Sequence, residues 1–135
     1  MKKAFTLFEL LVVISIVGIL IAVASISYSG AQKKSRDARR IQDMNAIQKA
    51  AEMYYSQNNY VYPGTSQLTA SGLMSVMPID PKNSTPYVYN FSGLVNGANN
   101  YCLCVRLEST TGGNASDSNC TMASSGAYYC VRNQQ

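Results

Sequence analysis

The side chains able to carry chemistry in this 135-residue chain sit toward its two ends. Cys102, Cys104, Cys120 and Cys130 all fall in the last 34 residues, and one carboxylate, Glu9, stands inside a stretch that is otherwise apolar or small and uncharged from Phe5 to Gly30. Four cysteines can oxidise to two disulfides or hold a soft metal. Zinc knuckles space two thiolates as Cys-x-x-Cys, whereas a single residue separates Cys102 from Cys104. The reading is therefore two disulfides formed in an oxidising compartment. Histidine is absent, which removes the commonest general base and the commonest transition-metal ligand together. There is no glycine-rich phosphate loop, nucleophile elbow or paired-carboxylate pattern. The chain is expected not to be an enzyme and to use no cofactor. Glu108 and Asp117, with Asn114 and Asn119 nearby, offer oxygens to calcium, but they match no fixed ligand pattern and a solvated turn is the preferred reading.

On a strand Cys102 and Cys104 point to one face, and a bond between them would be strained. Their partners are then Cys120 and Cys130. If the chain turns back around residues 109 to 119, an antiparallel return sets late residues against early ones and favours the nested pairs Cys102 with Cys130 and Cys104 with Cys120. The crossed order stays open.

Glu9 poses the other question, because a carboxylate inside lipid costs about 2.5 to 3.5 kcal/mol on insertion scales. It makes sense if a cation meets it in the apolar phase. Cleavage between Ala4 and Phe5 would create such a cation, the new α-amino group, on Phe5 of the same or a neighbouring chain. Residues 5 and 9 share a helical face, and a carboxylate near a helix N-terminus is favoured by the dipole.

These groups need elements to position them. No residue from Leu10 to Gln32 is charged; that run of 23, about 34 Å as a helix, can span a bilayer. It is too long for an ordinary signal peptide, despite Lys2 and Lys3 ahead of it. Beyond it Ile41, Met44, Ile47, Ala51, Tyr54 and Tyr55 recur at helical spacing, with Arg40, Asp43, Lys49 and Glu52 between them, which predicts an amphipathic helix. With no proline from Phe5 to Gln57 and only Gly18 and Gly30 as glycines, one helix of about 80 Å is the simplest model. Asn58 and Asn59, then Tyr62, Pro63 and Gly64, mark its end. Three β-rich pieces follow, 87–91, 101–107 and 127–132, separated by turns. The expected class is α+β: a long N-terminal helix, its first half transmembrane and its second amphipathic, packed on a small antiparallel sheet of about three strands. The expected division is 1–4 leader, 5–29 transmembrane helix, 30–58 amphipathic half, and 59–135 globular domain with a disulfide-rich end.

Topology brings two rules into conflict. Lys33, Lys34, Arg36, Arg39 and Arg40 outnumber Lys2 and Lys3, and charge bias alone would keep the C-terminal part in the cytoplasm. Disulfides need the outside, and the cysteines are given precedence.

Lys2, Lys3 and Ala4 ahead of Phe5, Thr6, Leu7, Phe8, Glu9 and Leu10 resemble the class III leader of type IV pilins and related pseudopilins. The likeness extends through Asn58 to Pro63, and more weakly through Pro78 to Pro81 and Pro86 to Tyr89, covering about the first 90 residues. Ala4 stands where that family usually has Gly. The resemblance implies a pilin fold, cutting between Ala4 and Phe5 by a prepilin peptidase, N-methylation of Phe5, and pairing of Glu9 with the amine of Phe5 of an adjoining subunit. It further implies a subunit held in the cytoplasmic membrane, domain outward, until an assembly platform and its ATPase lift it into a helical homopolymer at the cell surface.

Major pseudopilins of type II secretion typically carry Trp-Gly-Asn between Asp-Pro and Pro-Tyr. Lys82, Asn83, Ser84 and Thr85 stand there, and the chain has no Trp. With the two disulfides, this favours a pilus subunit over a secretion pseudopilin. A monomeric membrane-anchored binding module is the further alternative, although a mere tether has no use for Glu9. The basic run Lys33, Lys34, Arg36, Arg39 and Arg40 could hold DNA through its phosphates; its plainer reading is a solvated helix face above the membrane, drawn to anionic headgroups or paired with Asp37 and Asp43.

Overall fold

The computed structural model describes residues 5–135, apart from the side chains of Ile26 and Ser27. The expected leader, residues 1–4 with Ala4, lies outside the described residues. Helix α1 (Leu7–Gln57) runs unbroken through Gly18 and Gly30, where a side chain would meet nothing. The chain divides into two compact units, 1–33 and 34–135.

In the first unit α1 is apolar on every side. Leu10, Leu11, Val12, Val13 and Ile14 are consecutive and all exposed, so the helix has no inward stripe. This helix is long and apolar enough to cross a membrane.

The second unit is a helix packed on a sheet. Its stretch of α1 buries Met44, Ile47, Ala50 and Ala51 in one core with Tyr62, Leu68, Leu94, Tyr101, Leu103, Val105, Leu107 and Val131. The helix stops at an amide-rich turn. Asn59 and Tyr60 take positive φ, +53° and +59°, and the Asn58 side chain donates to the carbonyl of Tyr54 at 2.9 Å. A short helix α2 (Thr65–Ala70), which the sequence reading does not anticipate, seats Leu68 in the core.

Four strands rather than about three make the antiparallel sheet: β1 (Cys102–Arg106), β2 (Gly113–Ala115), β3 (Met122–Gly126) and β4 (Tyr128–Arg132), in the order β1-β4-β2-β3. Period-2 alternation in β1 and β4 sends Leu103, Val105 and Val131 into the core and the cysteines to the other face. The expected strand at 87–91 is absent. Tyr87, Tyr89 and Phe91 do alternate inward, but this stretch has only an isolated bridge from Ser84 to Tyr87. Beyond it Gly93 lies so close to the Cys102 carbonyl that a Cβ would collide with it.

The disulfides are crossed, not nested: Cys102 with Cys120 and Cys104 with Cys130. Strand register explains the correction. Cys104 faces Cys130 directly across the β1–β4 ladder, whereas Cys102 faces Arg132, so the nested pair would be out of register by two residues. Cys102 instead reaches the turn that precedes β3.

Candidate functional site

At the start of α1, Thr6 and Glu9 bond each other reciprocally. The Glu9 amide donates to Thr6 Oγ1 at 3.2 Å, and Glu9 Oε2 accepts the Thr6 amide at 3.0 Å and its hydroxyl at 2.9 Å. This is a capping box, a Ser/Thr with a Glu three residues on, satisfying two orphan donors at a helix start. The pattern is legible in Thr6-Leu7-Phe8-Glu9, although the sequence reading credits only the dipole. The box fixes the carboxylate at the first turn without neutralising it. Every ion pair among the described residues involves Arg36 or Arg40, so Glu9 has no cationic partner among them.

The rest of that helix is prepared for apolar surroundings. The hydroxyls of Ser15 and Ser25 donate back to the carbonyls of Leu11 and Ile21 at 2.7 and 2.9 Å, which removes two polar groups that lipid or a dry bundle would penalise. Phe5 is 83% exposed, one turn from Glu9. The arrangement is a negative charge at one end of an apolar cylinder, a shape complete only when lipid or other helices cover it and a cation meets the carboxylate.

The second unit holds a charge cluster of which the sequence reading anticipates only a pairing of the basic run with Asp37. Arg40 is fully buried. Its guanidinium donates to Asp80 at 2.6 and 2.9 Å, to Asp37 at 2.8 Å and to Glu108 at 3.0 Å. Arg36 forks onto both Glu108 oxygens at 2.6 and 2.7 Å, and Asp37 accepts the backbone amides of Glu108 and Ser109. The network ties α1 to the 80–83 turn and to the end of β1. The arginines hold the Glu108 carboxyl down at about 2, Arg36 foremost and against the opposing effect of burial. Burial pushes Asp80 up, but hydrogen bonds from Arg40 and the Lys82 amide outweigh it and leave that carboxyl below its usual range. Further along α1, Glu52 accepts the hydroxyls of Tyr62 and Tyr101. Burial, and then this carboxylate, push the Tyr62 phenol up to about 12.

Three site expectations change accordingly. The basic run does not act as one patch: Arg36 and Arg40 are consumed by internal carboxylates, leaving Lys33, Lys34 and Arg39 exposed. Glu108 is an arginine partner and not a free oxygen ligand for calcium. Asp117 closes its own turn, accepting the Asn119 and Thr121 amides, and Asn114 bonds both backbone groups of Cys130. Among the described residues one cluster has metal-ligand types, Cys102, Cys104 and Cys120, and its sulfurs are spent in disulfides.

Residues 1–25 match the family described as the prokaryotic N-terminal methylation motif. The type IV wide pilus major component PilA4 of Thermus thermophilus is 36% identical over 101 residues, 75% of this chain and 70% of that protein. The type II secretion system core protein G of Escherichia coli is 30% identical over 94 residues, 70% of this chain and 61% of that protein. The Vibrio cholerae protein of the same name is 33% identical over 94 residues, 70% of this chain and 60% of that protein. No solved structure matches the chain. An N-terminal methylation motif heading an apolar helix, with relatives in both filament systems, places the protein: it belongs to the type IV pilin and pseudopilin family.

Proposed function

We infer that the chain is a structural subunit of a type IV pilus-like filament, held in the membrane by the first part of α1 until it is assembled. One observation carries this reading. Glu9 is fixed by a capping box at the tip of a helix that is apolar all round, with no cation near it among the described residues. In a bundle of such helices the α-amine of Phe5, exposed by a cut after Ala4, is the cation in reach. It neutralises Glu9 and sets the register between neighbours. Head-to-tail contact of this kind does not close on itself, so the polymer stays open at its ends.

A prepilin peptidase would make the cut, and an assembly platform with its ATPase would lift the subunit out of the cytoplasmic membrane, domain outward. The two disulfides favour that orientation, since they form and persist outside the cytosol. The role is structural rather than catalytic. A second reading, the major pseudopilin of a type II secretion system, is supported by the likeness to core protein G; Lys82 to Thr85, standing where such pseudopilins typically have Trp-Gly-Asn, weigh toward the pilus.

Replacing Glu9 with Leu tests the reading. The variant is expected to be made and to enter the membrane fraction, while electron microscopy finds no fibres on the cells. Fibres in normal number would refute the assembly role of Glu9. Wild-type fibres recovered by shearing favour the pilus; a defect confined to protein export in cells lacking the subunit favours the pseudopilin.

A further inference from the structure

The two disulfides lie against each other. Cys104 Sγ is bonded to Cys130 and sits 3.6 Å from Cys120 Sγ and 3.8 Å from Cys102 Sγ, so it touches all three other sulfurs. Strand order accounts for this. Cys102 and Cys104 share a face of β1, Cys130 faces Cys104 across the ladder, and Cys120 reaches them from the turn before β3. Cys130 is buried, whereas Cys102, Cys104 and Cys120 are half-buried. A cleft of about 460 Å³, walled by Asn90, Ser92, Ser118 and Asn119, has Cys102 and Cys104 in its lining and admits a small thiol or phosphine.

We propose that Cys104 is an exchange centre through which the chain corrects its own disulfide pairing. The step begins when an external dithiol reduces Cys102–Cys120, giving that bond two electrons and becoming a disulfide itself. The Cys120 thiolate then attacks Cys104 Sγ. The Cys104–Cys120 bond forms, the Cys104–Cys130 bond breaks, and its electron pair leaves on Cys130. Cys130 takes up the proton that Cys120 gave up, and the Asp117 carbonyl, 3.7 Å from Cys130 Sγ, accepts the new S–H. The sulfurs of Cys120 and Cys104 have to close by about 1.6 Å to bond, which rotation of a turn side chain supplies. Attack by Cys102 is the poorer route, since a Cys102–Cys104 bond joins residues two apart on one strand face. Register makes the exchange self-correcting. Cys102 and Cys130 are diagonal neighbours on the ladder, with Cβ atoms beyond the ~4.5 Å that a disulfide allows, so a chain holding Cys104–Cys120 cannot close its second bond. Return attack by Cys130 on Cys104 restores the crossed set, in which all four sulfurs are bonded.

The test uses the oxidised full chain in nonionic detergent. One equivalent of a phosphine, a two-electron reductant that adds no thiol, is supplied at pH 5. Half the sample is then raised to pH 8, where the thiolate fraction of an ordinary cysteine is roughly a thousandfold higher. Both halves are quenched in denaturant with excess N-ethylmaleimide, and the labels and remaining bonds are located by fragmentation mass spectrometry without further reduction. At pH 5 the label is expected on Cys102 and Cys120. At pH 8 the Cys120 label should fall and the Cys130 label rise in equal measure, with a Cys104–Cys120 bond appearing at a rate independent of protein concentration. Label that stays on Cys102 and Cys120 at pH 8, or a shift that grows with protein concentration, overturns the proposal. Cys102→Ser needs no reductant, because its Cys120 thiol is free from the start. After incubation at pH 8 its label should be found on both Cys120 and Cys130, and label confined to Cys120 overturns the exchange. Either result leaves the filament reading standing, since Glu9 takes no part in it.

Discussion

Replacing Arg40 with Met should remove much of the second unit's margin of stability. The Arg40 side chain is 0% exposed and so is that of Asp80, and Met fills similar volume without charge. Removal leaves Asp80 buried with only the Lys82 and Asn83 amides to solvate it, and leaves Glu108 dependent on Arg36 alone. Breaking a buried pair by deleting one partner costs about 3 to 5 kcal/mol. For a unit of roughly 100 residues, 1 kcal/mol moves Tm by about 4 to 8 °C, so the variant should lose more than about 12 °C. The assay is thermal unfolding followed by tyrosine near-ultraviolet circular dichroism in nonionic detergent. The deficit also has a pH signature. Without Arg40, burial, the largest influence on Asp80, is opposed only by the Lys82 and Asn83 amides and raises its folded pKa above the unfolded value. The variant's penalty is then present above an unfolded pKa near 4 and fades as acid neutralises the carboxylate. Arg40→Met with Asp80→Leu should recover most of the loss, because an apolar pair replaces the ion pair. Arg40→Met within about 1 kcal/mol of wild type at pH 7 would refute the reasoning.

Other outcomes follow from the same geometry. Glu108, lowered from 4.5 to about 2, contributes stability that is present above pH 4.5 and lost as pH falls toward 2. The upper bound is about 3 kcal/mol, and acid titration of unfolding in Glu108→Gln should lack this loss. Asn114→Ala removes two bonds to the Cys130 backbone, at 2.7 and 3.0 Å, and should cost about 2 kcal/mol by denaturant unfolding. Gly93→Ala drives a Cβ into the Cys102 carbonyl and should destabilise by about 1 to 3 kcal/mol in the same assay. Unreduced peptide mapping should find Cys102 joined to Cys120 and Cys104 to Cys130; nested peptides would contradict the β1–β4 register.

What can be read from sequence follows range. Helix α1 declares itself because its periodicity and lack of breakers are local, and the stripe of Met44, Ile47 and Ala51 is the face that packs. Arg40 reads as a solvated position although it stands four before Met44, in line with that stripe. Its burial depends on Asp80, 40 residues away in sequence. The 87–91 segment alternates as a strand does, but alternation reports which side chains turn inward and not whether a ladder partner exists. β2 and β3, Gly-Asn-Ala and Met-Ala-Ser-Ser-Gly, carry little β propensity and become strands only by pairing with each other and, through β2, with β4. The cysteines point to two disulfides, while their order needs the register that only the folded sheet supplies.

The central claim is tested most directly by the intact mass and N-terminal sequence of the protein taken from its native cell surface without reducing agent. The account predicts a chain that begins at methylated Phe5, lighter by residues 1–4 and by the hydrogens of two disulfides, and recovered in sheared fibres. A chain still starting at Met1 with free thiols would contradict it.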